Sequence, residues 1–103
     1  MAYTTIDDPT AYFQTKLYTG NSSTQSITFD GNTNMQPDWV WIKSRSVTEW
    51  HQVHDSVRGV AKYLFTNTNS VENERDPNDQ VTSFNSNGFS LGAGANDSVN
   101  SDG

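Results

Sequence analysis

The hydrophobic and polar positions of the chain alternate in short runs, and the clearest run is residues 37–46 (PDWVWIKSRS). Successive side chains of an extended strand point to opposite faces. Trp39 and Trp41 therefore share one face, and Val40 and Ile42 share the other. Because both faces begin apolar, we predict a strand inside a two-layer structure, with the two tryptophans in the core.

Similar runs predict further strands along the chain. We place them at Phe13–Thr19, Ile27–Phe29, Trp50–Val57, Tyr63–Thr66, Val81–Phe84 and Phe89–Leu91. The last two flank Asn85–Gly88 (NSNG), which is typical of a hairpin turn. Residues 57–64 also fit helical spacing, but Gly59 and the β-rich residues after it favour a turn followed by a strand.

The segments between these strands are rich in turn-forming residues. Asp8 and Pro9 are placed to cap one helical turn. Asn67–Gln80 is a polar loop of about fourteen residues, which is long for a compact domain. Residues 93–103 have no apolar periodicity and are predicted to form a polar loop or tail. A sandwich is seldom completed by a strand in mid-chain, so we expect that a longer polypeptide or a neighbour supplies further strands.

Length, composition and charge limit the fold classes and the kinds of partner that are possible. The chain has 103 residues, 32% of them hydrophobic, which is enough for one domain. Its short alternating runs predict an all-β domain built as an antiparallel β-sandwich. The net charge of −6 argues against nucleic acid, because binding its backbone requires a basic face. Cysteine is absent, which excludes disulfides and thiolate chemistry, and no apolar run is long enough to span a bilayer.

Four pieces of the chain resemble a known family in their order and spacing. They are Tyr18–Asn21 (YTGN), Pro37–Lys43 (PDWVWIK), Asp55–Gly59 (DSVRG) and Ser83–Gly92 (SFNSNGFSLG). They resemble a family of tailed-bacteriophage virion proteins, found in tail fibres and related appendages, often in marine and cyanobacterial phages. The resemblance implies a concanavalin-like, or jelly-roll-like, β-sandwich near the N-terminus of a longer fibre-type protein.

The resemblance also implies a location and partners. Such modules are synthesised in the host cytoplasm and reside in the virion, where they dock onto other virion proteins or onto their own copies. Homo-oligomers, commonly trimers, are typical of fibres. The expected function is therefore structural and non-enzymatic. The alternative is a receptor-binding, lectin-like module that recognises a host cell-surface glycan.

The side chains best suited to bind a glycan lie in one run. Trp50, His51, Gln52 and His54 combine an aromatic ring with hydrogen-bonding groups, which makes them the candidate ligand-binding residues. The two histidines are three positions apart, a spacing that places them on opposite faces of a strand. A metal ion shared between them is therefore not expected.

Other residues are assigned structural roles. Trp39 and Trp41 are assigned to the core. Asp55 and Arg58 are predicted to pair and to brace the turn at Gly59. The oxygen-rich loops Asp76–Asp79 and Asn96–Asp102 lack the full ligand set of a calcium loop. The sequence contains no nucleophile elbow, phosphate-binding glycine loop or HExxH pattern. We therefore predict no catalytic residue, no metal and no cofactor.

Overall fold

Seven short strands and one 3-10 turn make up the regular structure of residues 4–93 and 99–101, which the computed structural model describes. In chain order these are the 3-10 turn Pro9–Ala11, β1 (Gln25–Thr28), β2 (Trp39–Ile42), β3 (Gln52–Asp55), β4 (Lys62–Phe65), β5 (Asn73–Glu74), β6 (Val81–Asn85) and β7 (Gly88–Leu91). The Asp8 side chain accepts a hydrogen bond from the Thr10 N–H, and Pro9 begins the turn. The predicted capped turn is thus confirmed.

The strands form two antiparallel sheets. One is three-stranded with the order β1-β7-β6, and the other is four-stranded with the order β2-β3-β4-β5. The predicted all-β, antiparallel sandwich class is confirmed. Among the described residues, no helix is both long enough and apolar enough to cross a membrane.

Residues from both sheets share one hydrophobic core. Ile27, Phe89 and Leu91 enter it from the three-stranded sheet, and Val40 and Ile42 enter it from β2. All five side chains are buried, and such burial contributes about 1.5–3 kcal/mol for each large apolar side chain. The alternation of β2 therefore buries its aliphatic face.

Strands β6 and β7 form a hairpin, and β7 is the central strand of the three-stranded sheet. Ser86 and Asn87 form its turn, as the NSNG pattern predicted. The Asn87 carbonyl accepts a hydrogen bond from the Phe29 N–H at 3.0 Å, and the Asn87 amide donates to the Phe29 carbonyl at 3.1 Å. The turn therefore also fixes the end of β1.

The predicted strand at Phe13–Thr19 is wrong. The segment has no regular secondary structure and belongs to neither sheet, although its exposure alternates. Side chains tie it to the turn that follows β1: Lys16 Nζ lies 2.5 Å from Asp30, and the Gln14 side chain accepts from the Gly31 N–H at 3.0 Å. No backbone-to-backbone bond joins residues 14–17 to another described part of the chain. Alternation alone does not form a strand unless a ladder partner lies beside it.

The predicted polar loop Asn67–Gln80 contains the short strand β5. Lys62 pairs with Glu74 and Tyr63 pairs with Asn73, so β5 forms the far edge of the four-stranded sheet. The Arg75 side chain donates to the Tyr63 hydroxyl at 3.1 Å. A two-residue polar strand carries no apolar alternation, which is why the sequence pattern missed it.

The predicted polar tail, residues 93–103, includes two buried residues. Val99 joins the hydrophobic core, and Asn100 has no exposed surface. The Asn100 amide donates to the carbonyls of Ser23 at 2.6 Å and Gly92 at 2.7 Å, and its oxygen accepts from the Gln25 side chain at 2.5 Å. A buried amide is stabilised when its donors and acceptor are all used. Asn100 is therefore anchored to Gln25 of β1, to Ser23 before it and to Gly92 after β7, and it does not lie in a solvated tail. The rest of the predicted tail beyond Ala93, apart from Val99 and Ser101, lies outside the described residues.

Gly59 and Gly88 both have a positive φ, but only at Gly88 would an added side chain also clash with a neighbour. A Cβ at Gly88 (φ 146°) would lie 1.9 Å from the Ile27 carbonyl oxygen, whereas a Cβ at Gly59 (φ 90°) would meet nothing within 4 Å. We expect Gly59→Ala to lower the free energy of unfolding by about 1–2 kcal/mol. Gly88→Ala should cost about 3–5 kcal/mol, because the clash adds to the strained backbone. Urea denaturation of both variants measures this; equal losses would contradict the packing of the hairpin against β1.

Candidate functional site

Strand β2 is an edge strand with one side unpaired. The residues of an antiparallel ladder alternate between pairs that exchange backbone hydrogen bonds and pairs that do not. The Ser56 N–H donates to the Asp38 carbonyl at 2.9 Å, so the bonded pairs in register with it are those of Val40 and Ile42 with β3. The bond from the Thr66 N–H to the His51 carbonyl, at 2.9 Å, gives the same phase on the other side of β3.

The alternation aims the backbone groups of Trp39 and Trp41 away from β3, toward the open edge. No other described backbone group bonds to them. Unpaired N–H and C=O groups along a strand edge form a template for a further strand. The open edge of β2 is therefore the first element of the candidate site.

The side chains of these two residues are also exposed, Trp39 to 55% and Trp41 to 53%. The prediction that they lie in the core is wrong. The four-stranded sheet packs on the other sheet through one face, that of Val40 and Ile42, and the tryptophans occupy the opposite face. A two-layer domain has no third layer over that outer face.

The Trp41 ring is held in one orientation although it is exposed. Its Nε1 donates to the Thr66 hydroxyl at 3.0 Å, and the His51 ring packs against it edge-on with centroids 6.5 Å apart. Val53, its cross-strand neighbour, is buried beneath it. The indole is therefore preorganised for contact and loses little rotamer freedom on binding.

A groove of about 850 Å³ runs along the open edge of β2. We call it the β2 groove. Core residues line its inner side, and residues 11–16 and 18, including the exposed Tyr12 and Phe13, form its other wall. The inner lining consists of Phe29, Met35, Val40, Ile42 and Phe89. Large apolar side chains exposed together in this way mark a binding surface.

The segment of residues 13–19, which belongs to neither sheet, runs in the same direction as β2. The Gln14 side chain near its start donates to the Thr33 carbonyl at 3.2 Å, ahead of β2. Residues 16–20 near its end line a hollow together with residues 42–47, at and beyond the end of β2. The β2 groove therefore lies between β2 and this segment.

Cationic side chains gather at the end of the groove that lies beyond β2. Lys16, Lys43 and Arg45, three of the six cations of the chain, line both the groove and the adjoining hollow of about 540 Å³. Lys16 pairs with Asp30, whereas neither Lys43 nor Arg45 forms an ion pair within the described residues. Glu49 is the one acidic side chain among the described residues that line the hollow with these three cations, so cations outnumber acids there in a chain of net charge −6.

The structure does not bring the predicted glycan-binding residues together. Trp50 is 51% exposed and packs on Phe65, with ring centroids 4.8 Å apart. His51 lies on the outer face beside Trp41, whereas Gln52 and His54 are buried in the interior. Strand alternation places His51 on the face opposite Trp50. The burial of Gln52 and His54 removes them from the surface that Trp50 exposes, so the four form no common surface. The candidate site lies instead at β2.

His54 is a buried, structural histidine. Its ring stacks on Tyr63 at 5.1 Å, and its Nε2 lies 3.0 Å from the Gln52 side-chain oxygen. Its Nδ1 has no hydrogen-bond partner among the described residues. Burial lowers the pKa of His54 to about 4, against a partly opposing effect of Asp55. The imidazole is therefore neutral at physiological pH.

The predicted pair of Asp55 and Arg58 is present at the turn after β3. Asp55 Oδ1 accepts from the N–H groups of Val57 at 3.1 Å and Arg58 at 2.9 Å, while the guanidinium bonds the other carboxylate oxygen. The backbone bond from Arg58 is the largest cause of a lowered pKa of Asp55. The guanidinium also reaches Glu72 at 2.9 Å. Asp55, which is buried, therefore ties the turn that ends at Gly59.

The described residues contain no group of three or more histidine and acidic side chains that could hold a metal ion. In the first oxygen-rich loop, Asp76 accepts from the backbone and side chain of Asn78, both at 2.9 Å. In the second, Asn100 uses its amide to anchor the chain, and residues 96–98 lie outside the described residues. These contacts stabilise local turns.

The β2 groove was missed from the sequence because the tryptophans were assigned to the core. One signal could have found it. Lys43 and Arg45 continue the face of Trp39 and Trp41, and charged residues on one face of a strand indicate that this face meets solvent.

Comparison with known proteins gives one family. The model of the domain of unknown function DUF7483 matches residues 8–103. Neither the curated proteins nor the solved structures include a match.

The turn after β3 gives a ranked pair of variants. Asp55→Ala removes a buried acceptor of two backbone bonds, so we expect the free energy of unfolding to fall by about 2–3 kcal/mol. Arg58→Ala removes a partly exposed partner and should cost about 1 kcal/mol. Chemical denaturation of both variants measures the ranking, and a larger loss for Arg58→Ala would show that the ion pair, not the backbone bonds, holds the turn.

The burial of His54 predicts acid sensitivity. The unfolded chain binds its proton near pH 6.5 and the folded chain only near pH 4, so stability falls as the pH decreases between these values. The expected loss is about 3 kcal/mol. His54→Phe keeps a ring on Tyr63 and removes the titration, so its stability should vary less over the same range. Equal pH dependence of wild type and variant in urea denaturation would contradict the assignment.

Proposed function

The chain belongs to the DUF7483 family, which its match over residues 8–103 shows, and from that premise we propose a structural role. The domain is a non-enzymatic module of a tailed-bacteriophage virion, in a tail fibre or related appendage. It docks onto other virion proteins and assembles with its own copies. Its location is the virion.

The observation that carries this proposal is the open edge of β2. Trp39 and Trp41 present both unpaired backbone groups and exposed rings at the same place. Natural sheet proteins usually protect an edge with charges, proline or a covering loop, because an open edge pairs with other chains. Aromatic rings are enriched at protein interfaces. An edge that offers both is suited to specific assembly.

The surroundings of the edge favour a protein partner. The β2 groove supplies an apolar surface, and Lys43 and Arg45 supply charges without an ion-pair partner among the described residues. A small ligand would satisfy the rings but would leave the backbone groups of the edge to water. A polypeptide satisfies the rings, the groove and the edge together.

The virion context is supported by the four sequence pieces in order. Two of them coincide with elements that build the site or the core: the PDWVWIK piece contains β2, and the SFNSNGFSLG piece contains the hairpin of β6 and β7. The DSVRG piece forms the turn that Asp55 ties. The resembling residues are thus those on which the fold and its open edge depend.

Incorporation into particles tests the proposal. A tagged copy of the full chain is expressed during infection by a phage of the resembling type, and its amount in purified particles is measured by quantitative mass spectrometry. We expect the wild-type chain to be incorporated. A double Trp39→Ser, Trp41→Ser variant should be reduced at least about tenfold, because hot-spot residues dominate docking.

Trp50→Ala is the matched control, since Trp50 is equally exposed but packs on Phe65 and does not line the β2 groove. It should be incorporated like the wild type. Absence of the wild-type chain from particles would overturn the proposed function. Equal losses in both variants would show that docking does not use the β2 edge.

A further inference from the structure

We infer that the docking partner contributes an extended strand that inserts into the β2 groove, antiparallel to β2 and with acidic residues at its N-terminal end. This inference rests on the proposed function and names the partner's chemistry. It depends on three features of the described residues: the direction of the free backbone groups, the lining of the groove, and the position of the cations.

The backbone requires a strand rather than a helix or a loop. The N–H and C=O groups of Trp39 and Trp41 are spaced two residues apart along one edge. Only an extended chain presents its own donors and acceptors at that period. A helix satisfies its groups internally and would leave the edge of β2 unpaired.

The groove determines the side-chain pattern of the incoming strand. A residue that pairs with Val40 or Ile42 shares their face and points into the groove, toward Phe29 and Phe89. Its neighbours along the strand point to the outer face, beside the tryptophan rings. The incoming strand therefore alternates apolar residues, which enter the groove, with polar residues, which lie on the outer face.

The cations determine its direction. Each strand pair in the two sheets is antiparallel, and antiparallel pairing is slightly more stable per residue. An antiparallel strand places its N-terminal end beside the end of β2, where Lys43 and Arg45 lie. Opposite charges that meet there fix the register and raise the association rate. The acidic residues are thus expected at the N-terminal end.

The described residues do not supply this strand, and we therefore assign it to the docking partner. Each described strand already belongs to one of the two sheets, and the segment of residues 13–19 is held to the turn after β1 by Lys16 and Gln14. No described segment of a second copy is therefore free to enter the groove without leaving its own sheet.

Amide hydrogen exchange with a synthetic peptide tests the inference on the full chain. The probe is a peptide of two aspartates followed by alternating valine and threonine. At saturating peptide, exchange at the amides of Trp39 and Trp41 should slow at least about tenfold, because they enter a ladder. Exchange at Val40 and Ile42, which already bond to β3, should change little.

Two altered peptides and two variants serve as controls. A peptide with the aspartates at its C-terminal end should bind at least about tenfold more weakly, and so should one with a central proline, which cannot donate to the ladder. A double Lys43→Gln, Arg45→Gln variant should lose affinity and salt dependence. Lys62→Gln alters a cation at the far side of the same sheet and should bind normally.

The outcomes separate this inference from the proposed function. If no peptide protects Trp39 and Trp41 while the chain is still incorporated into particles through its tryptophans, the strand mechanism is overturned and the structural role stands. Protection that rises with protein concentration in the absence of peptide would identify a second copy as the occupant and overturn the separate partner. Equal protection of the Trp39 and Trp41 amides by the two peptides, with the aspartates at the N-terminal or at the C-terminal end, would overturn the predicted direction of the strand.

Discussion

Every residue of an antiparallel strand must satisfy its backbone groups, and an edge strand satisfies them on one side only. In this chain that constraint falls on β2. Its Val40 and Ile42 groups bond to β3, whereas those of Trp39 and Trp41 face the open edge. The same strand pairs with β3, carries the exposed rings and lines the β2 groove. The same edge therefore decides where the molecule interacts.

Local chemistry made part of this fold predictable. The hairpin of β6 and β7 follows from a turn signal between two apolar runs, and Asp8 before Pro9 marks a helical turn. Such signals act over a few residues and need no knowledge of neighbours. The pairing of Asp55 with Arg58 is of the same kind, because the two residues are three positions apart. The all-β class followed from these short runs.

Other features depend on which surfaces meet, and the sequence pattern does not encode that directly. Both faces of β2 are apolar, so alternation could not decide whether Trp41 or Val40 lies inside. The 13–19 segment alternates like a strand yet belongs to neither sheet. Asn100 was predicted to lie in a polar tail but is buried. Four polar groups from other parts of the chain bond to its side-chain amide. Tertiary context overrides local pattern in each case.

Amide hydrogen exchange of the chain alone measures most directly whether the edge of β2 is open in the free chain. The amides of Trp39 and Trp41 are expected to exchange fast, while those of Val40 and Ile42, in the same strand, exchange slowly. Equal protection of all four amides at low protein concentration would contradict an open edge, because the edge would then already be paired.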